Sequence, residues 1–175
     1  MTIIRTRLAA LLGAFVATQA LAQAPAAPND AQIASIVVTA NSVDIDAGKL
    51  AEQTSTNPTV KQFAHIMVTD HSSVNAQAVA LVTRLKVTPQ DNAISQSLKK
   101  GGDDNLARLK ALKGKEFDKA YVDNEVAYHQ AVIDALDKTL IPHARNAELK
   151  ATLVKVRPAF VAHLEHARHI QGELK

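Results

Sequence analysis

From Asp30 to the C-terminus, apolar residues recur every three or four positions, the period of a helix with one buried face. The first predicted helix spans residues 30–54 and carries Ile33, Ile36, Val37, Ala40, Val43, Ala47 and Leu50 on its stripe, with Asn29-Asp30 as the N-cap signal. Gly48 inside it costs about 1 kcal/mol relative to Ala, a cost expected where a neighbouring helix comes close. Ser55-Thr56-Asn57-Pro58 stops the helix and starts the next, with Pro58 in the new first turn. That second helix, residues 58–86, aligns Val60, Phe63, Met67, Val74, Ala78 and Leu81.

The pattern then weakens. Pro89, Gly101-Gly102 and Gly114 punctuate residues 87–115 and leave two short amphipathic pieces, around Leu98 and from Leu106 to Leu112. This reads as a long crossover. A third helix, residues 116–139, presents Phe117, Tyr121, Val122, Val126, Tyr128, Val132 and Leu136, and Ile141-Pro142 closes it. The fourth spans residues 146–174, where Pro158 removes the hydrogen bond to the carbonyl of Val154 and predicts a kink one turn before His163. The expected fold is all-α: a ferritin-like four-helix bundle with a long crossover between the second and third helices.

The first 22 residues belong to a different pattern. Arg5 and Arg7 precede an apolar run from Leu8, and Ala20-Leu21-Ala22 follows as a small-x-small site. This is the layout of a secretory signal peptide, expected to be cleaved after Ala22, with residues 23–29 as a flexible linker and 30–175 as the folded domain. The apolar run is shorter than the roughly 20 residues of a membrane span. The mature chain is therefore expected to be periplasmic or secreted, with no membrane span.

Composition sharpens this picture in three places. Aromatics are only 3% of a chain that is 47% hydrophobic, which suits close helix packing rather than a sandwich. There is no cysteine, so packing alone must hold the domain. Without Arg5 and Arg7 the chain keeps 18 basic against 17 acidic residues, and no concentrated basic face of a nucleic-acid binder is present. The partner expected is another protein or a second copy of the chain.

Candidate chemistry lies where polar residues interrupt the apolar seams. The second helix needs a seam member near position 70 or 71, and has Asp70 and His71. The third places Glu125 on its seam with His129 one turn on, the fourth has His163 squarely within its own, and Asp44 and Asp46 flank the first. At 1.5 Å rise per residue, Asp44, Asp70, His71, Glu125, His129 and His163 lie at depths agreeing to about one turn, with His163 closer to Glu125 than to His129. Carboxylate plus imidazole in a bundle core is a ligand set for Zn, Fe, Mn or Cu(II). The same pairs can also satisfy one another and fix helix register. His166 and His169 are expected to be solvated, with Glu165 pairing His169. A nucleophilic enzyme is excluded by the absence of cysteine, of a Gly-x-Ser-x-Gly turn and of a phosphate-cradling loop, so no catalytic residue is assigned.

The runs DIDAGKLA, NPTVKQFAHIMVTDH, FDKAYVDNEVAYH and LVKVRPAFVAHLEHA, in this order, resemble the exported bacterial family called domain of unknown function 4142, itself similar to ferritin-like bundles. The resemblance covers nearly all the mature chain. It implies the fold and export, and it places the family's recurrent polar positions on Asp44, Asp70, His71, His129 and His163. Asp44 stands where the family usually has Glu, which shortens that carboxylate by one methylene. The resemblance supplies no reaction.

Three functions follow from these residues. The sequence favours an exported, non-catalytic helical module in envelope or stress physiology with a structural polar core. The alternative is a metal-binding protein using the six residues as ligands or their supports. A redox enzyme on the di-iron pattern stands behind both, because no Glu-x-x-His pair is present.

Overall fold

The computed structural model describes residues 27–174. The expected signal peptide, residues 1–22, and most of the linker lie outside these residues. The described chain is all-helical: α1 (Asp30–Thr54), α2 (Pro58–Arg84), α3 (Ala93–Lys110), α4 (Gly114–Ala135), a π-helical turn (Leu136–Leu140), a short α5 (Ile141–His143) and α6 (Ala147–Glu173). No described helix is long and apolar enough to cross a membrane.

Side-chain caps set the helix starts. The Asn29 side chain accepts from the backbone N–H of Gln32, and the Asn29 backbone N–H donates to the Gln32 side-chain oxygen in return, closing a capping box on α1. Asn57, Asn92 and Asn146 cap α2, α3 and α6 in the same role.

Two apolar clusters lie end to end along the interior. One gathers Ile33, Ile36, Leu81, Val132, Leu136, Leu153, Phe160 and Leu164, and the other gathers Ala47, Ala51, Phe63, Met67, Phe117, Tyr121, Ala167 and Ile170. α1 and α6 run from the first cluster to the second, and α2 and α4 run from the second to the first. The polar residues Asn41, Asp44, His71, Glu125, His129 and His163 fall between the two clusters on all four helices. α1 packs chiefly on α2 and α4 on α6, each as an extended pair.

The crossover differs from the sequence expectation. It is not two short pieces but one 18-residue helix, α3, laid against α1 and running through Gly101-Gly102. Gly102 is buried there, and a Cβ on it would stand 2.7 and 2.8 Å from the two Val43 methyls. The glycine is needed for close approach, which propensity alone reads as a break. Gly48 serves the same purpose, as expected: its Cβ would meet Val68 at 2.9 Å and the Ala64 carbonyl at 3.1 Å. Gly101 faces open space.

The pair gives a test of opposite signs. Gly101→Ala is expected to stabilise by about 0.5–1 kcal/mol through helix propensity. Gly102→Ala is expected to destabilise by about 1–3 kcal/mol, because both branches of a stiff valine must move. Urea unfolding of the two variants measures both, and two shifts of the same sign would contradict this packing.

Other boundaries move by a turn or less. The third predicted helix ends in the π-helical turn rather than continuing to residue 139, and α6 runs unbroken through Pro158. His169 pairs with Glu173 at 3.2 Å, while Glu165 pairs with Arg168, so the expected Glu165–His169 contact is absent. His166 is half-buried, its ring edge-on to Phe63 at 5.1 Å between centroids. It is not solvated as expected.

Candidate metal centre

Five of the six sequence-nominated residues meet at one height. Asp44, His71, Glu125 and His129 are each no more than 1% exposed, and His163 is 7% exposed. His71, His129 and His163 bring three ring nitrogens within 4.8 Å of one another, and Asp44, Glu125 and His129 form a second such group. The three imidazole rings lie 5.3–5.5 Å apart, centroid to centroid. His163 therefore meets His129 directly, although helix depth alone placed it nearer Glu125. α1 supplies Asp44, α2 His71, α4 Glu125 and His129, and α6 His163.

Asp70 stands apart from the cluster. Its side chain is 48% exposed and accepts from Nε2 of His163 at 2.9 Å. Adjacent helix positions diverge by about 100°, which turns His71 inward and Asp70 to the rim. Asp46, the other carboxylate flanking the first stripe, is exposed.

Each histidine is anchored from outside. Nδ1 of His71 donates to Oδ1 of Asn41 at 2.7 Å, Nδ1 of His129 donates to the Glu125 carbonyl at 3.0 Å, and Nε2 of His163 donates to Asp70. A neutral imidazole has one N–H, so each anchor leaves a bare nitrogen on the other side of the ring. Those nitrogens are Nε2 of His71, Nε2 of His129 and Nδ1 of His163, and none has a hydrogen-bond partner. Oδ1 and Oδ2 of Asp44 and Oε2 of Glu125 are likewise buried and unpartnered.

Sequence reasoning did not nominate Asn41 or Tyr121. Asn41 is 1% exposed and lies three residues before Asp44, on the same face of α1. Its amide donates to the Val37 carbonyl at 2.8 Å, which fixes the oxygen that receives His71. A buried polar residue at that spacing was the available signal. Tyr121, one turn before Glu125, is fully buried with its hydroxyl unpartnered.

Burial dominates the electrostatics. It pushes Glu125 up to about 8. Asp44 is raised well above the usual carboxylate range by burial first and by Glu125 second. Burial, then the imidazoles of His129 and His163, pushes His71 down to about 2. His163 is lowered by burial, with its bond to Asp70 acting in the opposite direction. The neutral forms of all four are therefore favoured in the ion-free core.

A self-satisfied polar core needs these groups to pair with one another. Two anchoring pairs do so, Asn41–His71 and Asp70–His163. A protonated Asp44 could also donate to Nε2 of His71, 3.2 Å from Oδ2. Nε2 of His129 and Nδ1 of His163 would remain unpartnered, and Oε2 of Glu125 would have only the Nδ1 edge of His129 beside it, at 3.4 Å.

The same groups could instead hold an ion. Ligands about 2.0–2.2 Å from a tetrahedral ion stand about 3.4 Å apart. Oδ2 of Asp44 is 3.2 Å from Nε2 of His71 and 3.6 Å from Nε2 of His129. Three imidazoles with two carboxylates suit Zn, Fe, Mn or Cu(II), and the two negative charges would balance a divalent ion.

No curated protein and no solved structure matches the chain. One family model matches residues 16–170, most of the sequence, and carries the description "Domain of unknown function". The chain belongs to that family, DUF4142.

Proposed function

We propose that this is a metal-binding protein whose helical core holds one divalent transition-metal ion of the Zn, Fe, Mn or Cu class. The ligands are Nε2 of His71, Nε2 of His129, Nδ1 of His163 and the carboxylates of Asp44 and Glu125. Asp70 and Asn41 hold His163 and His71 in orientation, the role that outer hydrogen-bond partners take around metal-bound imidazoles. One observation carries this reading: six buried, unpartnered donor atoms on four helices fall in two three-residue groups that share His129, while the opposite edge of each of the three histidines is anchored.

This reading reverses the order in which the sequence placed a structural core ahead of metal binding. The helix directions support a bundle of ferritin-like connectivity. In it α2 and α4 run parallel and α3 forms the crossover. The N-terminal pattern of residues 1–22 supports export to the periplasm. The ion's own role, in storage, transfer or redox chemistry, follows from its identity.

The test is elemental analysis of the chain purified from periplasm without a polyhistidine tag, beside a His71→Ala/His163→Ala double variant. Near-stoichiometric metal in the native chain, lost in the variant, is the expected result. No metal in either, with the variant merely less stable, would return the cluster to a structural role.

A further inference from the structure

Two apolar cavities lie one behind the other beside the candidate centre. An open groove of about 690 Å³ between α1, α3 and α4 is lined by Val43, Ile94, Leu98, Gly102 and Tyr128. Behind it an inner chamber of about 110 Å³ is bounded by Ala40, Val74, Val132, Leu153 and Val156. Ile94, Leu98 and Tyr128 line both, so the two spaces share one wall, with α3 over their junction.

The chamber stops one side chain short of the centre, with Asn41 and Phe160 between it and the histidines. Its lining includes Asn41, which accepts from His71, and Phe160, whose ring lies 5.1 Å from that of His71 and 6.1 Å from that of His129. The chamber's side-chain polar groups are already committed. The Asn41 oxygen receives His71 and its amide serves the Val37 carbonyl, while the Tyr128 hydroxyl donates to the Ala40 carbonyl at 2.8 Å. A buried water needs two to four polar partners, and an apolar cavity of about this size stays dry and takes xenon or a small hydrocarbon. A charged or hydrogen-bonding molecule would lose its hydration here and gain nothing in return.

We infer that the centre takes a small, uncharged, gas-like ligand of the dioxygen or nitric oxide class, which reaches it from the α3 groove through the apolar chamber. This inference rests on the metal reading above. Under it, α3 is the roof of a passage, and the close approach at Gly102 sets the height of that roof.

The test has a metal-independent arm and a metal-dependent arm. Crystals of the full mature chain pressurised with xenon are expected to show xenon in the chamber. The ferrous-loaded protein is then mixed with nitric oxide, and association is followed by absorbance. Ile94→Trp, at the junction and 41% exposed in the native chain, is expected to slow association at least tenfold. Xenon pressure on the native protein should slow it too, with no variant to fold. Val154→Trp, exposed on α6 and outside both linings, should leave the rate unchanged.

Ordered water in place of xenon would overturn the inference, as would xenon in the chamber with the same nitric oxide rate in every sample. A chain that takes up no ferrous ion overturns the gas-ligand inference, and one that takes up none of Zn, Fe, Mn or Cu overturns the metal reading itself. Either failure is seen at the loading step, before nitric oxide is added.

Discussion

Saturating the chain with its divalent metal is expected to raise its melting midpoint by about 8–16 °C near neutral pH. A ligand a thousandfold above its dissociation constant stabilises the folded state by about 4 kcal/mol. A protein of this size shifts by about 2–4 °C per kcal/mol. The shift should depend on pH in a direction that the buried groups fix. In the metal-free chain, Glu125 is raised from 4.5 to about 8 and Asp44 is also raised. For a carboxyl with a raised folded pKa, the unfolded chain ionises first as pH rises. Stability is therefore full below the unfolded values and is lost as pH climbs from about 4.5 towards 8.

His71 acts from the other side. Its folded value is depressed from 6.5 to about 2, so its stability is full above 6.5 and is lost as pH falls towards 2. The metal-free chain is thus squeezed at both ends. Metal needs both carboxylates as anions and the imidazoles neutral, so the alkaline loss should disappear on loading and binding should release protons. Melting curves of chelated and loaded protein from pH 5 to 8.5 test this, with calorimetry in two buffers to count protons. A metal shift that does not grow between pH 5 and 8 would contradict ligation by Asp44 and Glu125.

Much of this centre was legible because helices are periodic. Glu125 and His163 occupy seam positions that the apolar pattern reserves, and their heights follow from rise per residue. The rotation of Asp70 out of the cluster was also legible, since adjacent residues diverge. What stayed hidden depends on contacts between helices. Asn41 reads as an ordinary polar residue until α2 brings His71 against it. Gly101-Gly102 reads as a break because propensity is local, while the value of Gly102 lies in the distance to Val43. Asn92 three residues before Ser95 was a usable start signal for α3, but Pro89 and the glycines outweighed it. The anchoring of each histidine could not be read at all, because a tautomer is set by the partner across the interface.

Asp44→Asn is expected to stabilise the metal-free chain while destroying its metal site, a pairing that no purely structural residue should show. In the native chain Asp44 is buried with both oxygens unpartnered, and ionising it there is strongly disfavoured. The amide carries no charge, has the same shape, and can donate to the bare Nε2 of His71 and His129, now 3.2 and 3.6 Å from Oδ2. Removing the unpartnered group should yield about 1–2 kcal/mol at pH 7.5. The corresponding rise in melting midpoint is about 2–8 °C. Near pH 4 the gain should shrink, because the unfolded native chain then keeps more of its own carboxyl protonated.

Metal affinity should fall by more than the roughly 10–100-fold typical of losing an outer partner, because a ligand itself is gone. Asn41→Ala is the comparison. It strips the partner from Nδ1 of His71 and should lower stability by about 1–3 kcal/mol with or without metal. If Asp44→Asn instead loses stability in the metal-free chain, as Asn41→Ala should, then Asp44 belongs to a structural pair with His71 and the ion is not needed to explain it. If the two variants move in opposite directions, the buried carboxylate is a strain that the fold retains for its ligand.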